Sequence, residues 1–294
     1  MKSTQSSAVG SPNPVGTHLT PGTAQISVLV PADMAMVWAA LTERDVVGRW
    51  FGDLSGTLTQ SGTYRLDFGD GDFFEIDDVV SEPPHRLSYQ WRFLGTGPRN
   101  AIDWSIEPLK DQCRVRVTDA EASRTPAGVA EMIEGWTDFL RRLRDYCATG
   151  QNTRYAWRQE FDGSIELPIA AADAFDWLTS DDGQRHWLPW SASAIAPGTP
   201  VVMTDNGQPA NLTIATVNRD GKLAARFSLA CPQWLAPTNC SIEVRPWPRG
   251  SLLVISHTGW QAISARDSDR ATQRHRFSAL WIQALRMAQQ YVRR

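Results

Sequence analysis

Two kinds of hydrophobic spacing alternate along this chain. Leu87, Tyr89, Trp91 and Phe93 interleave with Ser88, Gln90 and Arg92, the period of two expected of a strand with one buried face. Leu223, Ala225, Phe227 and Leu229 repeat that pattern. Val115, Val117 and Asp119 alternate with Arg114, Arg116 and Thr118, and Leu253, Ile255 and His257 form the matching face of a later segment. Elsewhere the spacing is helical. Val37, Ala40 and Leu41 mark a short helix after Pro31. Met132, Ile133, Trp136, Leu140, Leu143 and Cys147 mark a long amphipathic one, as do Phe277, Leu280, Trp281, Ala284, Leu285 and Ala288. Several half-buried strands followed by one long amphipathic helix predict an α+β fold in which an antiparallel sheet wraps the helix.

The plan is written twice. Pro31 and Pro168 stand 137 residues apart, and the same offset pairs Ala35 with Ala172, Leu41 with Leu178, Thr42 with Thr179, Asp45 with Asp182 and Trp50 with Trp187. An offset of 136 then matches Gly62-Thr63 to Gly198-Thr199 and Ser105-Ile106-Glu107 to Ser241-Ile242-Glu243. At 145, Trp136, Leu140 and Tyr146 fall on Trp281, Leu285 and Tyr291. The reading is a Ser/Thr/Gly/Pro-rich disordered tail over 1–24, a first domain over 25–150, a polar linker over 151–158 and a second domain over 159–294.

Composition narrows the function classes. At 42% hydrophobic and 21% charged, the chain can bury a core. A formal net charge of -3 supplies no general field for nucleic acid. No apolar run approaches the roughly 20 residues that span a bilayer, and residues 1–25 lack the apolar stretch of a secretory signal. A cytoplasmic location without membrane insertion is expected. Cys113, Cys147, Cys231 and Cys240 show no C-x-x-C spacing, so neither a zinc site nor a disulfide framework is expected. There is no nucleophile-elbow triad, phosphate-binding glycine loop or H-E-x-x-H, and no cofactor is expected. The 13 Trp are dispersed, which suits cavity walls as well as cores.

The first domain resembles the START-like (SRPBCC, helix-grip) superfamily, in the branch of Hsp90 ATPase activator homologues (AHSA). The resemblance rests on Val30-Pro31-Ala32 before a helix with Val37-Trp38 and Leu41-Thr42, then Arg49-Trp50-Phe51 and Ser61-Gly62-Thr63-Tyr64. It continues through Glu82-Pro83-Pro84-His85-Arg86-Leu87, Trp91 and Gly135-Trp136. The second domain diverges more but keeps Ser256-His257-Thr258-Gly259-Trp260, similar to the branch's last-strand motif. The resemblance implies two tandem helix-grip domains, each a curved sheet around a C-terminal helix with an internal cavity. It also implies hydrophobic ligands: relatives bind lipids, hormones or polyketides, and some are cyclases or aromatases.

The repeat serves as an internal control on those cavities. On the strand faces Tyr64 pairs with Pro200, Phe74 with Ala210, Tyr89 with Ala225, Trp91 with Phe227 and Trp104 with Cys240, and the first domain is larger every time. The second domain is therefore expected to hold the roomier pocket, unless residues such as Met203 or Trp177 compensate. Its ligand-binding candidates are Trp281, Phe227, Ala225, Cys240, Ala210 and Ile255. In the first domain they are Trp136, Trp91, Trp104 and Tyr64. Asp119 and His257 occupy equivalent positions on inward faces, so both are candidates for proton transfer or for orienting a ligand. Asp78 is a further inward candidate unless a bulge turns it outward. Arg266, Arg270, Arg274 and Arg276 read as a solvated helix face, and Ala262–Asp269 as an added segment able to cover a cavity entrance.

Three readings follow. The first is binding of a small hydrophobic, aromatic or polyketide-like molecule, in the second domain above all. The second is a metal-free cyclase, aromatase or dehydratase. The third is a module for a protein partner, such as a chaperone or an acyl carrier.

Overall fold

The computed structural model describes residues 13–154, 158–188, 195, 198, 200–205, 208–219 and 223–292, without the side chains of 17–20, 200–212 and 214–219. The first repeat runs β1 (Val15–Thr20), β2 (Thr23–Val30), α1 (Met34–Thr42), α2 (Arg44–Val47), β3 (Asp53–Leu54), β4 (Tyr64–Asp67), β5 (Phe73–Glu82), β6 (Arg86–Phe93), β7 (Arg99–Leu109), β8 (Gln112–Ala120) and α3 (Pro126–Thr149). The second runs β9 (Phe161–Leu167), α4 (Ala171–Thr179), α5 (Asp181–Trp187), β10 (Pro200–Asp205), β11 (Gln208–Arg219), β12 (Ala224–Ala230), β13 (Thr238–Trp247), β14 (Gly250–Thr258) and α6 (Asp267–Val292). The strand orders are β1-β2-β8-β7-β6-β5-β4-β3 and β10-β11-β12-β13-β14-β9. Each sheet wraps the long helix that ends its repeat, an α+β helix-grip arrangement.

Local chemistry explains the helix boundaries. The Asp33 carboxylate accepts from the Met36 N–H at 2.8 Å to start α1, and Thr125 accepts from Gly128 at 3.1 Å to start α3 with Pro126 in its first turn. Gly150, at φ 68°, ends α3 in the left-handed conformation. The paired Trp50 and Trp187 share one task. Their indole N–H groups donate to Ala40 C=O (2.7 Å) and Leu178 C=O (2.9 Å), carbonyls near the ends of α1 and α4.

By contacts the chain forms two compact units. Unit 1 contains 13–66, Ile76–Trp91 and 99–154; unit 2 contains Asp67–Glu75, Arg92–Pro98 and the described residues from 158 onward. Two expectations change in unit 1. Residues 15–20, expected in a disordered tail, form edge strand β1, paired antiparallel with β2 from Val15↔Ser27 to Thr20↔Thr23. Backbone bonding holds an edge strand without an apolar run, and its Val and Thr suit extended structure. Residues 1–12 lie outside the described residues. The first half of the expected linker is also tied down: Thr153 Oγ1 donates to Arg142 C=O at 2.9 Å, and Arg154 clasps the Asp53 carboxylate at 2.7 and 2.9 Å. Residues 155–157 lie outside the description.

The register corrects the internal alignment. Leu109 opposes Gln112 and Trp247 opposes Gly250, so the β7–β8 and β13–β14 hairpins match at an offset of 138. Ile106 N–H donates to His85 C=O and Val244 N–H to Leu223 C=O, both at 2.8 Å, which extends that offset to β6 and β12. The facing pairs are therefore Leu87 with Ala225, Tyr89 with Phe227, Trp91 with Leu229, Ile102 with Cys240 and Trp104 with Ile242. A two-residue slip keeps every side chain on its face, and the first repeat is the larger in each of these re-paired positions; the expected pairs Tyr64 with Pro200 and Phe74 with Ala210 involve side chains outside those described.

On β5 the expected face Phe74, Ile76, Asp78, Val80 is broken. Asp78 has φ 52°, Val79 is buried and Val80 is 54% exposed. This local irregularity turns Asp78 out to Arg99 (3.2 Å). Phe74 instead meets Phe93 at 5.1 Å between centroids.

Unit 2 holds a buried ion pair around Arg274, a residue expected on a solvated helix face. Arg274 is 0% exposed. Its guanidinium donates to both Asp72 oxygens at 2.8 Å, to Asp70 C=O at 3.0 Å, to Ser278 Oγ at 2.5 Å and to Glu160 C=O. Arg158 adds a contact to Asp72 at 3.2 Å. Burial pushes the Asp72 carboxyl up, against the pull of the Arg274 guanidinium. Arg274 lies on the same helical stripe as Phe277, Ser278 and Trp281, which is why it is inside. Removing one partner of such a pair strands a buried charge. Asp72→Ala is expected to destabilise unit 2 by about 3–5 kcal/mol, whereas Glu131→Ala on the exposed face of α3 changes stability by less than about 0.5 kcal/mol. Denaturant titration with hydrogen exchange read on α6 checks both.

Candidate functional site

The closing helices bring Trp136 and Trp281 to the centres of their units, each 1% exposed or less. A buried indole N–H requires an acceptor, and in both units the last strand supplies it. Trp136 Nε1 donates to Asp119 Oδ2 at 2.9 Å, and Trp281 Nε1 donates to His257 Nδ1 at 3.0 Å. The equivalence of Asp119 and His257 is thus an equivalence of task.

In unit 1 the acceptor is a carboxylate, fully buried and saturated. Asp119 Oδ1 accepts from Arg124 Nη2 (2.7 Å) and Asn100 Nδ2 (3.2 Å). Arg124 also reaches Asp119 C=O and Gly22 C=O, at 3.2 and 3.1 Å. Around this anchor Trp136 stacks on Trp91 (5.2 Å, 11°) and meets Trp104 edge-on (5.2 Å, 83°). Trp104 Nε1 donates to the Tyr89 hydroxyl at 3.1 Å, and burial pushes that phenol's pKa up. A void bordered by Trp50, Phe51, Leu66, Ile76, Tyr89 and Trp104 among others measures about 10 Å³, no more than one water needs. Trp91, Trp104 and Trp136 come together. Tyr64 does not border the void; its hydroxyl donates to Gln60 C=O at 3.0 Å.

In unit 2 the acceptor is an imidazole. Because the Trp281 N–H can only donate, His257 Nδ1 must carry the lone pair, and Nε2 carries the proton that it donates to Thr238 Oγ1 at 2.8 Å. Burial, reinforced by the Arg274 charge, holds the His257 pKa well below its ordinary value. The ring sits 4.1 Å from Trp260, 4.9 Å from Phe277 and 6.0 Å from Trp281. Gly259, at φ 91°, makes the turn that folds Trp260 back, and the Trp260 N–H donates to His257 C=O at 3.1 Å.

Phe227, Cys240 and Ile255 are buried in the unit 2 core that also holds Trp260, Phe277 and Trp281; Ala225, on β12, is buried as well. Cys240 directly opposes His257 across the β13–β14 ladder, and burial pushes its thiol up. Ala210 lies on β11, its side chain outside those described; Met203, named as a filler, is likewise outside. Sequence reasoning assigned no part to Trp234 of the β12–β13 connection, whose ring lies 5.9 Å from Trp260 and 6.1 Å from Phe277. A separate groove of about 340 Å³ opens on the outer sheet face, where the alternating residues are Arg226, Ser228, Asn239, Ser241, Ser256 and Thr258. Its lining mixes hydroxyl, amide and guanidinium groups with apolar surface, Phe227 and Cys240 included.

The His257 geometry sets a pH dependence. Its folded pKa is depressed, so below about pH 6.5 the unfolded chain binds a proton that the folded one refuses. Stability contributed by this residue is intact above that pH and falls by about 1.4 kcal/mol per pH unit below it. Denaturant titrations between pH 7 and pH 5 are expected to show this slope, and His257→Gln to remove it. An unchanged slope in the variant would place the proton uptake elsewhere.

The family model described as "Activator of Hsp90 ATPase homolog 1-like protein" matches residues 31–148. No curated protein matches the chain. Among solved structures, DynU16, a protein in the dynemicin biosynthetic locus, is 33% identical with a TM-score of 0.79, over 93% of this chain and 100% of that one. CalU16 from Micromonospora echinospora is 24% identical over 44% of this chain and 75% of that one, with a TM-score of 0.38. The di-domain ARO/CYC protein StfQ of the steffimycin biosynthetic pathway is 14% identical over 92% of this chain and 98% of that one, with a TM-score of 0.35. With its duplicated sheet-and-helix plan and a full-length relative at this identity, the chain belongs to the START-like, helix-grip (SRPBCC) superfamily, with an AHSA1-type domain in its first repeat.

Proposed function

We propose that this protein binds a small hydrophobic molecule of aromatic or polyketide-like type, and that unit 2 is the receptor. The observation that carries the reading is the contrast between two interiors built on one plan. In unit 1 the strands themselves carry Tyr89, Trp91 and Trp104, and a void bordered by Tyr89 and Trp104 measures about 10 Å³, far below the few hundred Å³ of a ligand pocket. In unit 2 the same strand positions carry Phe227, Leu229 and Ile242, with Ala225 and Cys240 beside them. The wall loses an indole at Leu229 and at Ile242 and most of a Leu side chain at Ala225, and it is smaller by a hydroxyl at Phe227 and slightly smaller at Cys240. The 33% identity with a protein of a biosynthetic locus supports a ligand from specialised small-molecule metabolism. Among the described residues no helix is long and apolar enough to cross a membrane, and the reading assumes a cytoplasmic ligand, free or presented by an acyl carrier.

The geometry favours binding over turnover. A general base needs a lone pair free to take a proton. The one on His257 is held by the Trp281 N–H in an apolar surrounding, and Asp119 spends its oxygens on Arg124, Asn100 and Trp136. Both act as orienters of the helix tryptophan.

The test is a fluorescence titration of the full-length protein with 1,8-dihydroxyanthraquinone, a planar phenolic polycycle, with palmitate as the non-aromatic comparison. Saturable binding of the anthraquinone is expected, weakened about tenfold or more by Ala225→Phe, which overfills the unit 2 wall. Leu87→Phe at the matching unit 1 position is expected to leave it unchanged. Absence of saturable binding to the wild type would sink the reading, and equal loss in both variants would remove its assignment to unit 2.

A further inference from the structure

The space freed by the smaller unit 2 strands is not left empty; loops fill it. At the offset of 138 set by the hairpins, Trp234 stands where the first repeat has Thr96, and Trp260 where it has Ala122. Neither tryptophan is on a strand. Trp260 opens the turn after β14 and is 0% exposed, packed on His257 and 5.0 Å from Phe277. Trp234 belongs to the connection between β12 and β13 and is half-buried, edge-on to Trp260 at 77° and tilted 58° to Phe277. Unit 1 takes most of its filling from strand residues, Tyr89, Trp91 and Trp104, which cannot withdraw without breaking the sheet, with Phe51 from the loop after α2 packed against Trp91 and Trp136. The filling of unit 2 rests partly on a connection that can move without any ladder bond being lost.

How that connection is held points the same way. The last paired residues of β12 and β13 are Leu229 and Thr238. Beyond them, Trp234 N–H donates to Cys231 C=O within the loop, and Leu235 N–H donates to Ile263 C=O at 2.9 Å. Ile263 lies in the segment that the second repeat has in addition to the first, so the added segment latches the loop. Leu235 leaves 75% of its surface in solvent at the rim, an apolar exposure that a hydrophobic ligand would cover.

We propose that Trp234 is a lid residue: its indole covers an aromatic recess floored by Trp260 and Phe277, and withdrawal of the 231–237 loop opens that recess to one planar aromatic ring system of a ligand. The proposal rests on the reading of unit 2 as the receptor. Trp234 itself indicates the ligand chemistry, since what lies on this floor is a flat ring making edge and tilted contacts. A recess closed most of the time lowers apparent affinity by the fraction open, and removing the lid restores it.

The experiment uses the full chain and the same anthraquinone probe, with wild type, Trp234→Phe and Trp234→Ala compared by titration. Hydrogen exchange is read on the 231–238 segment with and without probe. Expected are about tenfold tighter binding by Trp234→Ala, an intermediate effect of Trp234→Phe, and faster exchange at Leu235 in the wild type once probe is bound, as its bond to Ile263 is released. Wild-type affinity in both variants with unchanged exchange at Leu235 overturns the lid while leaving the binding reading standing. Absence of binding to wild type and both variants overturns the two together. If Trp234→Ala fails to fold, the Trp234→Phe affinity and the wild-type exchange decide the matter.

Discussion

An indole N–H carried into an apolar interior must find an acceptor there, at a cost of about 1–3 kcal/mol if it does not. Both units meet that demand at the same place, where the closing helix crosses the last strand, and everything around the site follows from the choice of acceptor. A carboxylate in that position requires counter-charge. Asp119 therefore brings Arg124 and Asn100 with it, and through Arg124 binds the carbonyl of Gly22 next to β2. An imidazole requires none: His257 is satisfied by one neutral donor and one neutral acceptor, Trp281 and Thr238. Its surroundings can then be aromatic, and Trp260 and Phe277 pack directly against the ring. The same constraint yields a tryptophan anchored by an ion pair in one unit and by a neutral imidazole in the other, where the buried charge is the Arg274–Asp72 pair one helical turn from Phe277 and Ser278.

On the proposed reading, that difference favours unit 2 as the receptor for a hydrophobic ligand. A centre braced by a carboxylate and a guanidinium resists the entry of an apolar molecule, because any displacement exposes charge to a dry environment. A neutral aromatic centre exchanges one set of ring contacts for another. The wall residues follow suit: large and strand-borne where the interior is closed, smaller where the filling comes in part from loops. These features of unit 2 come from different parts of the sequence, and each supports the proposal that ligand rings replace protein rings there.

Much of this was legible in the sequence, and the exceptions have physical causes. The duplication, the strand faces, the closing helices and the matching of Asp119 to His257 all follow from periodicity, which is local. What Asp119 and His257 do is not local, since their partners Trp136 and Trp281 lie on another element and at a different offset. Aligning by residue identity set Ser105-Ile106-Glu107 on Ser241-Ile242-Glu243, whereas the hairpin ends fix a register two residues away. Period-two facing survives such a slip, so the size contrast held although its pairs changed. Strand β1 was missed because an edge strand can be held by backbone bonds alone. Trp234 was missed because nothing in a loop's spacing tells which way a ring turns. Arg274 did leave a signal: it falls on the stripe of Phe277 and Trp281, and its charge was given more weight than its position.

Asp72 shows why the sequence boundary between repeats is not a boundary of stability. By sequence it belongs to a Gly-Asp-Gly-Asp turn of the first repeat, a composition that reads as a solvated hairpin tip. By contacts it belongs to unit 2, where it neutralises a guanidinium with no exposure to water. Such a pair adds little when intact, because desolvation offsets much of the attraction, but breaking it leaves a charge that the interior cannot solvate. A chain cut between the repeats, near residue 150, retains Arg274 on the face of α6 that carries Phe277 and Trp281 and loses its counter-ion. The helix then either turns that face outward or leaves the charge uncompensated, and both undo the packing on which His257 depends. The two repeats are copies in sequence; the folding of the second is conditional on a segment of the first.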